Sequence, residues 1–238
     1  MDNASYTTLT RQSGLMRQMS VVANNIANTS TTGFRREGMI FTEHIARLDG
    51  AEPSLSMATA TARAVDLRQG GLAQTGGAFD FAIDGEGFFL VQTPQGDRLT
   101  RAGSFTPNQD GELVTPDGHR VLDEGGAPIF IPVEAQQISL AADGTLSADG
   151  QPITKIGLYR PADPTDLNHE AGTLFRAENG VEPAPGASLR QGYVEESNVD
   201  PVREISRMIA VQRAYELGQS LLDREDQRIR GVIETLGR

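Results

Sequence analysis

Catalysis or metal binding needs titratable or nucleophilic side chains at a working spacing, and this chain offers few. His44, His119 and His169 are its three histidines. They lie far apart, and none has a second ligand at the spacing of a zinc site. His169-Glu170 lacks the second histidine, four residues on from the first, of a metalloprotease helix. The absence of cysteine removes disulfide and thiolate chemistry. Lys155 is the only lysine, so Schiff-base chemistry has one candidate, in a strand pattern. There is no Gly-x-Ser-x-Gly elbow and no phosphate loop. The nearest cation motif is Thr106 to Asp117, where Asn108, Asp110 and Gly111 match interior calcium-loop positions. Its ends are wrong and no helical pattern flanks it, so it predicts a hairpin turn. Asp123-Glu124 and Glu195-Glu196 fall in loop-like sequence and predict solvated charge. No catalytic, cofactor-binding or metal site follows from these residues, and none points to an enzyme.

The elements around them fall into three stretches. Residues 4–27 carry a helical pattern: Leu9, Met16, Met19, Ala23 and Ile26 recur at spacings of three, four and seven, with Gln12 in the remaining inward slot. Ala23-Asn24-Asn25-Ile26-Ala27-Asn28-Thr29-Ser30-Thr31-Thr32-Gly33-Phe34 ends it. Its amides suit the last carbonyls of a helix, and Gly33 suits a positive φ. From 35 to 70 the periodicity fades. Ser54 to Ala64 is almost entirely Ala, Thr, Ser and Met, which predicts extended connecting chain with one short strand.

Between Gly70 and Arg190 the period becomes two. Phe88 to Val91, Val121-Leu122, Ile129 to Ile131, Ile138 to Leu140 and Ile156 to Tyr159 read as short strands. Asp-Gly pairs at 84, 110, 117, 143 and 149 punctuate them as tight turns. Many short strands without intervening helices predict an antiparallel barrel or sandwich.

Asp200 and Pro201 then open a last helix as cap and first helical residue. Ile205, Met208, Gln212, Tyr215, Gln219, Leu222, Asp226, Ile229, Ile233 and Leu236 hold three-four spacing for more than four heptads, the pattern of a seam between helices. Gln212, Gln219 and Asp226 would set its register from polar inward positions. A single helix lying on the β stretch is the alternative. A stripe of about 48 Å, at 1.5 Å per residue, is longer than a small domain is wide and favours the seam.

With 238 residues the chain is long enough for a substantial core, and its net charge is −11. Residues 70–190 hold 17 acidic and 7 basic side chains, so the acidity belongs to the β stretch. Nucleic acid, which wants a basic stripe, is an unsuitable partner. Met1-Asp2-Asn3 has no basic flank and no apolar run follows, so no cleaved secretory signal is expected. No run approaches the length of a membrane span.

Taken together, the motifs have a family likeness. Ala23-Asn24-Asn25-Ile26-Ala27-Asn28 with Thr31, Gly33, Phe34 and Arg35 resembles the signature of the bacterial flagellar basal-body rod proteins. Ser197-Asn198-Val199-Asp200 with Met208-Ile209 and Gln212-Arg213-Ala214-Tyr215-Glu216 is similar to the matching C-terminal motif. Gln69-Gly70-Gly71-Leu72, Thr75-Gly76, Ala82 to Phe89, Arg101 to Phe105 and Leu113-Val114-Thr115 are similar to the stretch between them. The start and modest length resemble the proximal rod members more than the longer distal ones. Tyr193, where Leu is common, and Gly218, where Asn is common, depart from the pattern.

The resemblance implies an α+β protein in which N- and C-terminal helices pair as a coiled coil around a central export channel, with the antiparallel β domain outside. Residues 1–34 and 191–238 would form the inner coiled-coil domain, 35–69 the connector and 70–190 the outer domain. Assembly contacts would then come from Leu9, Met16, Met19, Asn24, Asn25, Ile26, Asn28, Gly33 and Phe34 near one end. From the other end would come Asn198, Val199, Asp200, Ile205, Met208, Gln212, Tyr215, Leu222, Ile229 and Ile233. The implied partners are other rod subunits, further copies of this chain and, during secretion, the flagellar type III export apparatus. The implied place is the rod within the periplasmic space, and no cofactor is implied. A distal rod subunit is the rival within the family. A secreted binding module would need an aromatic-lined concave site, and a peptidoglycan hydrolase paired carboxylates or zinc; the sequence supplies neither.

Overall fold

The computed structural model describes residues 2–46, 55–184 and 186–236, with side chains at 8–40, 64–184 and 186–235. The chain divides into two compact units. One comprises Met1–Ala27, Glu37–Arg63 and Asp200–Arg238, and the other comprises Asn28–Arg36 and Ala64–Val199.

The first unit holds two helices, α1 (Asp2–Ala27) and α2 (Pro201–Leu236), of 26 and 36 residues. At 1.5 Å per residue these are about 39 and about 54 Å long. Asp200 caps α2 as its sequence predicts: its Oδ1 accepts from the amides of Val202 (3.0 Å) and Arg203 (3.1 Å). Asn25 of α1 meets Glu204, and Gln12 meets Tyr215, so the helices lie side by side and antiparallel.

The inward face of α1 carries Gln12, Val21, Val22 and Asn25, flanked by half-buried Leu15, Met19 and Ile26. On α2 the inward positions are Glu204, Met208, Val211, Tyr215, Gly218, Leu222 and Glu225, again at three-four spacing. This corrects the expected stripe. Met208, Tyr215 and Leu222 face inward, but Ile205, Gln212, Gln219 and Asp226 are exposed, and the adjacent residues Glu204, Val211, Gly218 and Glu225 take their place. The cause is Glu204, a buried acid held by an amide from α1, which a search for apolar residues passes over. On α1, Leu9 and Met16 likewise lie exposed, not inward. The side chains of His44 and Leu236 lie outside the described residues.

The weakly periodic connector forms two strands, β1 (Glu37–Ala46) and β2 (Leu55–Val65), hydrogen-bonded to each other. One short strand was the expectation. The run Met57-Ala58-Thr59-Ala60-Thr61-Ala62 does alternate with period two, β-branched Thr against Ala, but its apolar contrast is too low to read as a strand.

Among the described residues the second unit holds sixteen further strands. They are β3 (Leu72–Gln74), β4 (Phe81–Asp84), β5 (Phe88–Thr93), β6 (Gly96–Thr100), β7 (Thr106–Pro107), β8 (Leu113–Val114), β9 (Arg120–Val121) and β10 (Ile138–Leu140). After them come β11 (Thr145–Ala148), β12 (Gln151–Lys155), β13 (Leu158–Pro161), β14 (Leu167–His169), β15 (Leu174–Ala177), β16 (Val181–Pro183), β17 (Ser188–Gln191) and β18 (Tyr193–Glu195). Every pairing with a defined register in this unit is antiparallel.

The largest sheet runs β14-β15-β6-β5-β9-β8-β7, with β13 pairing both β5 and β16. Its two ends do not pair, so among the described residues the sheet is open, and of the expected barrel or sandwich the closed barrel is absent. β5 is central and buried on both faces: Phe89 and Val91 enter one apolar cluster, Phe88 and Leu90 the other. Burial on both faces is why Phe88 to Val91 is an unbroken apolar run. The three-stranded sheet β10-β11-β12 covers the first cluster through Leu146, Ile138, Leu140 and Ile153. The five Asp-Gly glycines all take positive φ, from 80° to 119°.

Candidate functional site

Two groups of residues carry the features singled out in the sequence: the faces of the helix pair, and the junction where the chain runs into and out of the β unit.

In the helix pair, Asn25 is fully buried. Its Oδ1 accepts from the Glu37 amide at 2.9 Å, and its Nδ2 donates to the Glu37 carbonyl at 2.8 Å and to Glu204 Oε2 at 3.3 Å. One amide side chain therefore ties α1, β1 and α2. Asn24 and Ile26 beside it are half-buried. Farther along, Gln12 Nε2 donates to the Tyr215 carbonyl at 2.9 Å. A Cβ on Gly218 would stand 2.4 Å from that nitrogen, so the glycine makes room for the buried amide. Of the sequence candidates, Met19, Met208, Tyr215 and Leu222 are half-buried in the pair, while Leu9, Met16, Ile205, Gln212, Ile229 and Ile233 are exposed. Asp200 is exposed at its capping position.

At the junction, the inbound pass begins with a turn in which Thr31 donates through Oγ1 to Asn28 Oδ1 at 3.0 Å and through N to the Asn28 carbonyl at 3.2 Å. Gly33 has φ +73°, and a Cβ there would meet the Ala102 amide nitrogen at 2.2 Å. Its own amide donates to the Glu195 carbonyl at 2.7 Å. Phe34 is fully buried with its ring edge-on to His169, centroids 5.6 Å apart. His169 is thus a packing residue, and its Nε2 lies 2.7 Å from the Gly172 carbonyl oxygen.

Asn198 ties its own pass of chain to two others. Its Oδ1 accepts from the Arg36 amide at 2.6 Å, and its Nδ2 donates to the carbonyls of Asp66 (2.9 Å) and Arg68 (2.8 Å). Val199 beside it is buried. The Asp66 amide closes the ring by donating to the Arg36 carbonyl at 2.8 Å.

Beneath these bonds lies an ionic cluster. Glu195, only 1 % exposed, pairs with Arg35 Nη2 at 2.9 Å and with Arg101 Nε at 2.8 Å, and accepts from the Gly70 amide at 2.9 Å. The Arg101 Nε–H is not aligned on the oxygen, so that contact is an ion pair and not a full hydrogen bond. Arg101 also donates to the carbonyls of Gly87 (2.6 Å) and Gly85 (3.0 Å) and lies against the Phe88 ring. Arg35 donates through Nη1 to the Arg68 carbonyl.

Burial pushes Arg35 down to about 10, against the pull of Glu195, and Arg101 is lowered for the same reason. The expectation of solvated charge at Glu195-Glu196 therefore fails at Glu195, which β18 carries inward. No local signal marks this, because alternation with apolar Val194 would point the carboxylate outward, and the two arginines that hold it come from 94 and 160 residues away.

None of this is catalytic machinery. Asn108, in the calcium-like stretch, closes the β7–β8 hairpin through the amides of Asp110 and Glu112. Among the described residues no cluster of three or more His, Asp or Glu is placed to hold a metal. No helix among them is long and apolar enough to cross a membrane.

Three family models match in chain order. They are flagella basal body rod protein over residues 6–35, flagellar hook protein FlgE/F/G D1 domain over 82–148, and flagellar basal body rod FlgEFG protein C-terminal over 190–234. A flagellar basal-body rod protein FlgF of Caulobacter vibrioides is 41% identical, covering 100% of this chain and 99% of the relative. One of Mesorhizobium japonicum is 36% identical with the same coverage. A FlgG rod protein of Bacillus subtilis is 30% identical over 96% of this chain and 97% of its own. The chain belongs to the flagellar basal-body rod protein family: it is a structural protein of the flagellum, not an enzyme. Within that family it is FlgF-like, a rod subunit that serves motility by assembling with other rod subunits in the basal body.

Proposed function

We propose that this chain is a proximal rod subunit whose paired terminal helices form the inner, coiled-coil layer of the axial tube around the export channel. The β unit then faces outward, and torque passes along the stacked helices. The observation that supports this most directly is surplus apolar surface. The seam between α1 and α2 is already occupied, yet Val202, Ile205, Ile209, Leu217, Leu221, Ile229, Val232 and Ile233 of α2 remain exposed, with Leu9 and Met16 on α1. A soluble monomer rarely leaves so much aliphatic surface along one helix, and neighbouring subunits are its natural cover.

On this reading Leu9, Met16, Ile205, Ile229 and Ile233 contact neighbours, and Gln212 sets register among them. Met19, Met208, Tyr215 and Leu222 hold the intrachain seam. Asn24, Asn25, Ile26, Asn28, Gly33, Phe34, Asn198, Val199 and Asp200 shape the turns that present both helices. On the same reading the subunit passes through the flagellar export apparatus and takes its place in the periplasmic part of the rod.

The test is the double variant Ile205→Asp, Ile229→Asp in the full chain. Both side chains are exposed, so the β unit remains folded and soluble while rod assembly and swimming are lost. Normal motility from that strain would overturn the assignment of these faces.

A further inference from the structure

Three passes of chain meet at the Glu195 carboxylate: the inbound segment 33–36, the connector 66–70 and the outbound segment 194–198. Two arginines, each at most 2 % exposed, share this one acid. They are not equally provided for. Arg101 donates to two backbone carbonyls, whereas Arg35 donates to one. Asp66, the other acid near Arg35, is itself bound by Arg68. Without Glu195 the closed junction would hold two guanidiniums together and no acid between them, a cost that backbone carbonyls do not offset.

We propose that Glu195 gates closure of the β unit: Arg35, and the inbound segment with it, is buried only after β18 has delivered the Glu195 carboxylate. A chain made from its N-terminus passes through a stage in which residues 28–101 exist and 195 does not. In that stage repulsion between Arg35 and Arg101 keeps the inbound segment undocked, although its other partners at 66–70 are present. Glu195 thus reports that the last part of the β unit has arrived.

Pulse-labelled hydrogen exchange during refolding of the full chain tests the order. The Asp66 amide bonds the Arg36 carbonyl and needs no residue beyond 66, while the Glu196 amide bonds the Gly71 carbonyl only once β18 is in place. The expected result is that Asp66 gains protection no earlier than Glu196, and that Arg35→Met lets Asp66 run ahead. Protection of Asp66 before Glu196 in the natural chain, or an unchanged order in Arg35→Met, would overturn the gate.

At equilibrium, Glu195→Gln should speed exchange at Gly33 and Asp66 by a factor of roughly 150 to a few thousand, which loss of one partner of a buried pair implies. Leu122, bonded to Leu90 in the sheet, should be unaffected. Adding Arg35→Met should restore most of the protection, and failure to restore it removes charge repulsion as the cause. If Glu195→Gln does not fold, Arg35→Met alone decides. It leaves a neutral Arg101–Glu195 pair and keeps Gly33 protected, and an exposed Gly33 amide in that variant contradicts the proposal.

Discussion

Gly33 answers two demands at one atom. Its φ of +73° lies where a side chain is strained, and a Cβ would collide with backbone at Ala102, which no rotamer change relieves. Gly33→Ala should therefore destabilise the β unit by about 2 kcal/mol or more, read as a lowered urea midpoint with unchanged slope. Asn198 is a second such residue. Its amide holds Arg36, Asp66 and Arg68, and Asn198→Ala removes three hydrogen bonds to backbone groups. Its cost should be about 2–3 kcal/mol by the same measurement. Both residues stand in the family signature and were singled out in the sequence, because Gly and Asn do what other side chains cannot at turns. Glu195 could not be found that way. Its importance depends on Arg35 and Arg101, and no local spacing links the three.

At the level of elements, the helices, the Asp200 cap and the Asp-Gly turns were legible because each depends on residues within one turn of another. Apolar pattern alone places the inward face of α2 one residue off at every second position, since it favours Ile205 over the acid Glu204. Gly218, a departure from the family pattern, is explained by packing. Ala is better than Gly in a helix by about 1 kcal/mol, but here its Cβ would displace the Gln12 amide. Gly218→Ala should give little or no gain alone and recover most of that increment in a Gln12→Ala background, a double-mutant cycle read by thermal unfolding. The helix pair also has a thin apolar seam, with Val21, Val22 and Val211 its buried aliphatic residues among those described, against the two clusters of the β unit. In the isolated subunit, helical circular dichroism should fall at a lower temperature than near-ultraviolet signal from the β unit. A single shared transition would contradict it.

For the whole molecule, charge and shape act together. Almost all of the net charge of −11 belongs to the β stretch, so copies brought side by side repel. Raising ionic strength shortens the Debye length from about 30 Å at 0.01 M to about 8 Å at 0.15 M and should promote self-association, as sedimentation would show. The opposite salt response would mean that ion pairs, not aliphatic faces, join the subunits. The stitched crossing of the inbound and outbound passes has a last consequence. Gly33 bonds Glu195 and Asn198 bonds Phe34 across it, so backbone as well as side chains fastens the two ends of the β unit to each other. Changes are then best tolerated at exposed tips of the β unit away from this crossing. Insertions at such a tip, Gly126 for example, should leave every bond of the junction intact.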